Sequence, residues 1–157
     1  MIRLAPVIAT WFGIGRLPGP SGTWGSLAAL PPAALLMWLG GPWLLALALL
    51  LVTLLGWWAS EIYGQHCGMA DAPEVVVDEV AGQWLPLLFL PFEPAAWLAA
   101  FGAFRFFDIA KPWPVGYVDR SLQGGFGVMA DDILAGVYAA ALLGGLWMIL
   151  EQTHVFQ

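Results

Sequence analysis

Charge is what this chain has least of. Aspartate, glutamate, lysine and arginine together make up 10% of its 157 residues, against 61% hydrophobic residues and a mean hydropathy of +0.80. Soluble domains carry about 25% charged residues, so the composition excludes an ordinary aqueous fold and is that of a membrane protein. Positive charge is scarcest: five Lys and Arg stand against eleven acids, for a formal net charge of −6. That balance leaves no basic surface for a nucleic-acid partner. Cysteine is nearly absent too. Cys67 stands alone, which excludes an internal disulfide and a thiolate metal site.

Long hydrophobic runs and tryptophan are what the chain has. Ten Trp include Trp43, Trp57, Trp58 and Trp147 near the ends of apolar runs, as in an interfacial aromatic belt. The length suits one domain, 1–157, with a few membrane spans. Arg3 and the apolar stretch 4–14 superficially resemble a secretory signal, but no small-x-small site follows before Gly15–Pro20, so the stretch is expected to be retained. Gly40-Gly41-Pro42 separates two apolar runs and predicts a helical hairpin from Thr23 to Ala59. Pro42–Ala59 and Ile133–Leu150 are the cleanest spans. The stretch from Glu61 to Ala81, with Gly64, Gly68, Ala70 and Pro73, reads as a loop entering a helix near Val76.

The run 84–104 is long enough to span, yet Pro86, Pro91 and Pro94 interrupt it and Glu93 lies near its middle. Arg3 and Arg16 precede the first hairpin, and Arg105, Lys111 and Arg120 follow the broken run. Positive loops stay cytoplasmic. A full crossing at 84–104 would put the second basic group outside, so a re-entrant or interfacial helix pair is expected there. The reading is an all-α integral membrane array of about three spans plus this Pro-broken pair.

Asp78-Glu79 and Asp131-Asp132 are adjacent-acid pairs at the mouths of apolar helical runs, where ionised carboxylates are costly without a partner or metal. Asp78…Gly82 and Asp132…Gly136 share a pattern, an Asp one helical turn before a Gly that admits a neighbouring backbone or ligand. Asp71, Glu74, Asp78, Glu79, Asp108, Asp119, Asp131 and Asp132 are eight of the eleven acids, and Arg105, Lys111 and Arg120 are their basic neighbours in sequence. Such a field repels an anionic substrate unless cations intervene. Convergent carboxylates suit one or two Mg2+ ions, which could polarise a phosphoryl group and prepare a water nucleophile. Adjacent helical residues diverge by about 100°, so each pair is expected to send one member to metal. Asp78 and Asp132 are favoured as direct ligands, with Glu79, Asp108 and Asp131 as ligands or water-positioning groups.

Phosphate has candidate partners as well. Arg105, Asp108 and Lys111 are spaced three apart on a helix that Pro112 ends; Arg105 could hold a phosphate bidentately and Lys111 as a point charge. Trp113 suits headgroup depth. Pro20–Ser26 offers backbone amides and the Thr23 and Ser26 hydroxyls as a phosphate cradle. Blander readings make Thr23 an N-cap, Asp131 the cap of the last helix, Arg105–Asp108 a structural pair and 123–127 a flexible turn. Absent motifs narrow the chemistry. There is no Gly-Lys-Ser/Thr of a P-loop, no Arg six residues after Cys67 and no Asp-x-Asp-x-Thr/Val nucleophile, which leaves metal-activated water as the simplest hydrolytic route.

Gly22-Thr23-x-Gly25-Ser26, Val77-Asp78-Glu79-x-x-Gly82, Phe104-Arg105-x-x-Asp108-x-x-Lys111-Pro112-Trp113-Pro114 and Gly124-Gly125-x-Gly127-x-Met129-x-Asp131-Asp132-x-x-Ala135-Gly136 occur in that order. Together they resemble the phosphatidylglycerophosphatase A family from about Gly15 to Gly144, with Ser21 where the family usually has proline. The resemblance implies an all-helical, Mg2+-dependent enzyme of the bacterial inner membrane that removes the terminal phosphate of phosphatidylglycerophosphate to give phosphatidylglycerol; the apolar spans and basic loops add that it is multi-pass among membrane lipids, with its site expected to face the cytoplasm. A homo-oligomer is left open. Two other classes remain from the residues alone: a divalent-cation transporter or channel lined by intramembrane carboxylates, which leaves the basic residues without a role, and a non-catalytic membrane subunit.

Overall fold

A computed structural model describes residues 3–69 and 71–155, with the side chains of 153–155 excepted; Ala70, expected in a loop, lies outside them. A short helix α1 (Ala5–Ala9) and a 3-10 turn (Ile14–Arg16) lead into α2 (Ser21–Cys67). Four further helices follow: α3 (Val77–Leu87), α4 (Pro94–Ala110), α5 (Val115–Ser121) and α6 (Gly124–Val155). No strand occurs among the described residues.

The helix α2 is a hairpin. Gly41 leaves the helical region with φ 65° and ψ −160°, a conformation open to glycine because it has no Cβ. A Cβ on Gly25 would fall 2.8 Å from Val76 Cβ, and one on Gly56 3.2 Å from Val77 Cγ1. Along one straight helix positions 25 and 56 would lie about 46 Å apart, so the chain reverses where Gly40-Gly41-Pro42 predicts. The second arm continues past the expected end at Ala59, so the front of the predicted loop is helix. Ala59, Ser60, Tyr63 and Gly64 form a buried stripe there, of which Ala59 and Tyr63 pack among Ala5, Ala9, Val75 and Val77.

The 84–104 run divides as its prolines suggest. The helix α3 ends at Leu87, and Pro94 occupies the first turn of α4. With 11 residues, α3 is about 16 Å long, too short for a hydrocarbon core of about 30 Å. Asp78 near the start of α3 and Asp108 and Lys111 at the end of α4 line the same cavity. The pair therefore leaves one end of the molecule and returns to it.

The last helix begins earlier than the apolar run that marks it. Gly124 has φ 76°, and the Gly125 N–H donates to Glu61 Oε2 at 2.7 Å. A Cβ on Gly125 would meet Glu61 N at 2.5 Å. The glycines expected as a flexible turn instead let α6 start against the second arm of α2, and Asp131 stands two turns inside the helix rather than at its cap. By length and composition α2 and α6 could cross a membrane. Leu47, Leu50, Leu54, Leu142 and Leu146 on them are exposed, an apolar surface that suggests membrane association.

Candidate metal and phosphate site

Two glycines bring the acids together. A Cβ on Gly82 would lie 2.6 Å from the Asp132 carbonyl oxygen and 2.5 Å from Phe104 Cε2, and one on Gly136 would run into the Gly82 carbonyl. Backbone touches backbone where α3 crosses α6. Asp78 and Asp132 each lie one turn before their glycine, so the crossing carries both carboxylates to one spot. Trp84 fastens α3 from its other side, donating to the Ala29 carbonyl of the first α2 arm at 2.8 Å.

Asp78, Glu79 and Asp132 each present a carboxylate oxygen within 4.8 Å of the other two. Asp78 is 8% exposed and Asp132 4%. Among the described residues Asp78 Oδ1, Glu79 Oε2 and Asp132 Oδ2 are buried without a hydrogen-bond partner. The helix α3 is too short to span, and at its head burial pushes Asp78 above the ordinary carboxylate range. Glu79 is pushed well above it, by burial first and then by the Asp78 charge. Orphaned, mutually repelling oxygens of this kind are costly alone and form the donor set a hard divalent cation takes.

The cluster opens into a cavity of about 350 Å3 walled by Ser21, Asp71, Lys111, Asp119, Gln123 and Asp131 among others. Lys111 ends α4 in a left-handed conformation with φ 43°. Its ammonium donates to Asp131 Oδ2 at 2.7 Å and to Asp119. Burial alone would lower its pKa, but the two carboxylates outweigh that and hold it above the usual lysine range, so it stays charged. Arg105 donates to Asp108. Its guanidinium lies behind the cavity, where a Cβ on Gly22 would come 2.9 Å from Arg105 Nη1 and would also strike Glu79 Oε1.

The acids of the two pairs thus fare differently. Both members of Asp78-Glu79 converge on the cluster, whereas Asp132 joins it and Asp131 turns to Lys111. Asp108 lines the cavity while bonded to Arg105. Thr23 and Ser26 lie in the first turns of α2 rather than in a loop. Pro20 is the N-cap, and the amides of Thr23 and Trp24 donate to its carbonyl. Ser26 Oγ donates to the Gly22 carbonyl at 2.8 Å. Neither hydroxyl residue borders the cavity; Ser21 does. Gly22 and Gly25 are buried and let α2 approach Glu79 and Val76, which is the visible role of that motif.

Sequence reading gave no part to Ser21, Gln123 or the Lys111–Asp119 bond. The last joins two segments through a turn whose path no local pattern encodes. Gln83 was also missed. It is fully buried and neither amide atom is partnered among the described residues; its place one turn beyond Glu79 on the same helix was the available signal.

The chain is 40% identical over 139 residues to the phosphatidylglycerophosphatase A of Escherichia coli (strain K12), covering 87% of this chain and 80% of that protein. With the phosphatidylglycerophosphatase A of Haemophilus influenzae it shares 38% over 146 residues, 91% and 90% of the two chains. A Bacteroides thetaiotaomicron protein with a provisional phosphatidylinositol-3-phosphatase name is 40% identical over 161 residues, 93% and 96% of the two. No solved structure matches significantly. None of the relatives named here is a transporter. The family model for phosphatidylglycerophosphatase A matches residues 7–147, nearly the whole described chain, and the protein belongs to that family.

Proposed function

We propose that the protein is a Mg2+-dependent phosphomonoester hydrolase that removes the terminal phosphate of phosphatidylglycerophosphate to give phosphatidylglycerol, at the cytoplasmic face of a bacterial inner membrane. One observation supports the metal and the phosphate together: three carboxylates, each with a buried and unpartnered oxygen, line a cavity whose wall also holds a charged lysine. Asp78, Glu79 and Asp132 would hold the ion. When bound, Mg2+ offsets the acid field and makes a water nucleophilic. Asp131 and Asp119 fix the Lys111 ammonium at the wall, within the cavity that receives the phosphate. Asp108 orients the Arg105 guanidinium near Glu79, where its remaining donors would support the acid cluster from behind the cavity.

Phosphate release from phosphatidylglycerophosphate in mixed micelles tests this. Purified protein should release inorganic phosphate with Mg2+ present and lose that activity in excess chelator, recovering when Mg2+ is restored. No release from this lipid removes the substrate assignment, and undiminished release under chelation removes the metal. A cation path gains nothing from the geometry, because Lys111 places a positive charge on the wall of the cavity that would have to conduct.

A further inference from the structure

We infer that an apolar groove between the second arm of α2, α5 and α6 holds an acyl chain of the lipid whose phosphate occupies the acidic cavity. The inference rests on reading that cavity as a lipid phosphomonoester site. The groove, of about 450 Å3, is bordered by Thr53, Leu54, Trp57, Leu122, Phe126 and Ala130. Leu122 belongs to its wall and to the wall of the cavity, so the two lie side by side and meet at that residue. On α6, Asp131 and Asp132 face the cavity while Ala130 and Ile133 face the groove. One helix thus separates the polar half of an amphiphile from the apolar half. The groove is also marked at its rim, where the rings of Trp57 and Phe126 meet edge to face with centroids 5.5 Å apart.

A second apolar groove, of about 430 Å3, lies along Leu85, Phe89 and Ala141 between α3 and α6, and it shares no wall residue with the cavity. A chain lying there would not lead to the carboxylates. Lipid tails are as apolar as leucine, so the first groove gains little from hydrophobicity alone. It acts through orientation, holding the chain so that the phosphate stays in the cavity.

The probe is a phosphatidylglycerophosphate analogue with a diazirine midway along one acyl chain, irradiated in cold mixed micelles containing Mg2+. Labels should fall on 53–57 and 126–134, and excess unlabelled phosphatidylglycerophosphate should displace them while diacylglycerol of the same chains does not. Labels on 85–89 and 137–148, or equal displacement by both lipids, would overturn the groove. Ala130→Phe fills its floor and should abolish this labelling and lower kcat/KM for the long-chain lipid about tenfold or more. Ala141→Phe, in the second groove, should leave both unchanged. If Ala130→Phe does not fold, labelling of the parent decides alone. Phosphate release by the parent is scored separately: displaceable labelling without release keeps the groove and removes the proposed reaction.

Discussion

Asp78 and Asp132 are the side chains on which the proposed metal depends most directly, because each is buried and carries an oxygen that no other described residue satisfies. Asp→Asn at either position removes charge while nearly keeping shape. Mg2+ affinity should fall by roughly 10–100-fold before folding is lost, seen as a rightward shift of the rate against Mg2+ concentration. Unchanged Mg2+ dependence in both variants would end the assignment. Asp71 and Asp119, nearer solvent, should matter less. The two cations should separate kinetically. Arg105→Lys keeps charge but loses the planar fork, and since Arg105 sits between Asp108 and Glu79 it should lower kcat more than it raises KM. Lys111→Ala frees Asp131 and removes a wall charge; loss of a charge-assisted bond should raise KM by about 10–100-fold. If both variants turn over phosphatidylglycerophosphate like the parent, phosphate recognition lies elsewhere.

At the scale of elements, the α3–α6 crossing decides whether those side chains meet at all. Gly136→Ala would press a methyl into the Gly82 carbonyl and Gly82→Ala would place one 2.6 Å from the Asp132 carbonyl oxygen, so the helices must part. Each variant should stay helical by circular dichroism yet lose at least tenfold in kcat/KM, as expected when a reactive arrangement is displaced by about 1 Å. Near-parental kcat/KM would mean the crossing is not tight in solution. This crossing was partly legible in the sequence, since the Asp-to-Gly spacing repeats at Asp78 and Asp132 and a glycine one turn on implies close approach. The hairpin at Gly41, the start of α3 after Val76 and the end of α4 before Pro112 were legible for the same reason: backbone freedom and proline act locally. The loop placed after Ala59, the turn at 123–127 and the Thr23–Ser26 cradle differ from the structure because small residues there serve tertiary contact. Gly22, Gly25 and Gly125 read alike as loop or as packing surface until the partner helix is known. Lys111–Asp119 had no local pattern at all.

For the whole molecule, the central question is which ends share a side of the membrane. Ser21 at the start of α2, Asp78 on α3, Asp108 and Lys111 at the end of α4, Asp119 on α5 and Asp131 on α6 all border one cavity, while Trp43, just past the Gly41 reversal, is 85% exposed. If the residues around that cavity share one side of the bilayer, the basic segment 105–120 stays on the cytoplasmic face, as the distribution of positive charge asks, and the expected outcome is that α3 and α4 make no full crossing. Cys67 is exposed and would report on its own, so it is first replaced by alanine. In that background Asp71→Cys and Asp119→Cys should react equally with an impermeant maleimide in inside-out vesicles and stay protected in intact spheroplasts. Trp43→Cys, at the opposite end of the hairpin, should show the reverse pattern. Opposite-side labelling of 71 and 119 would require α3–α4 to cross the bilayer and would split the cavity between two aqueous phases. That result would reject the re-entrant pair and, with it, a site that takes its phosphate from one face.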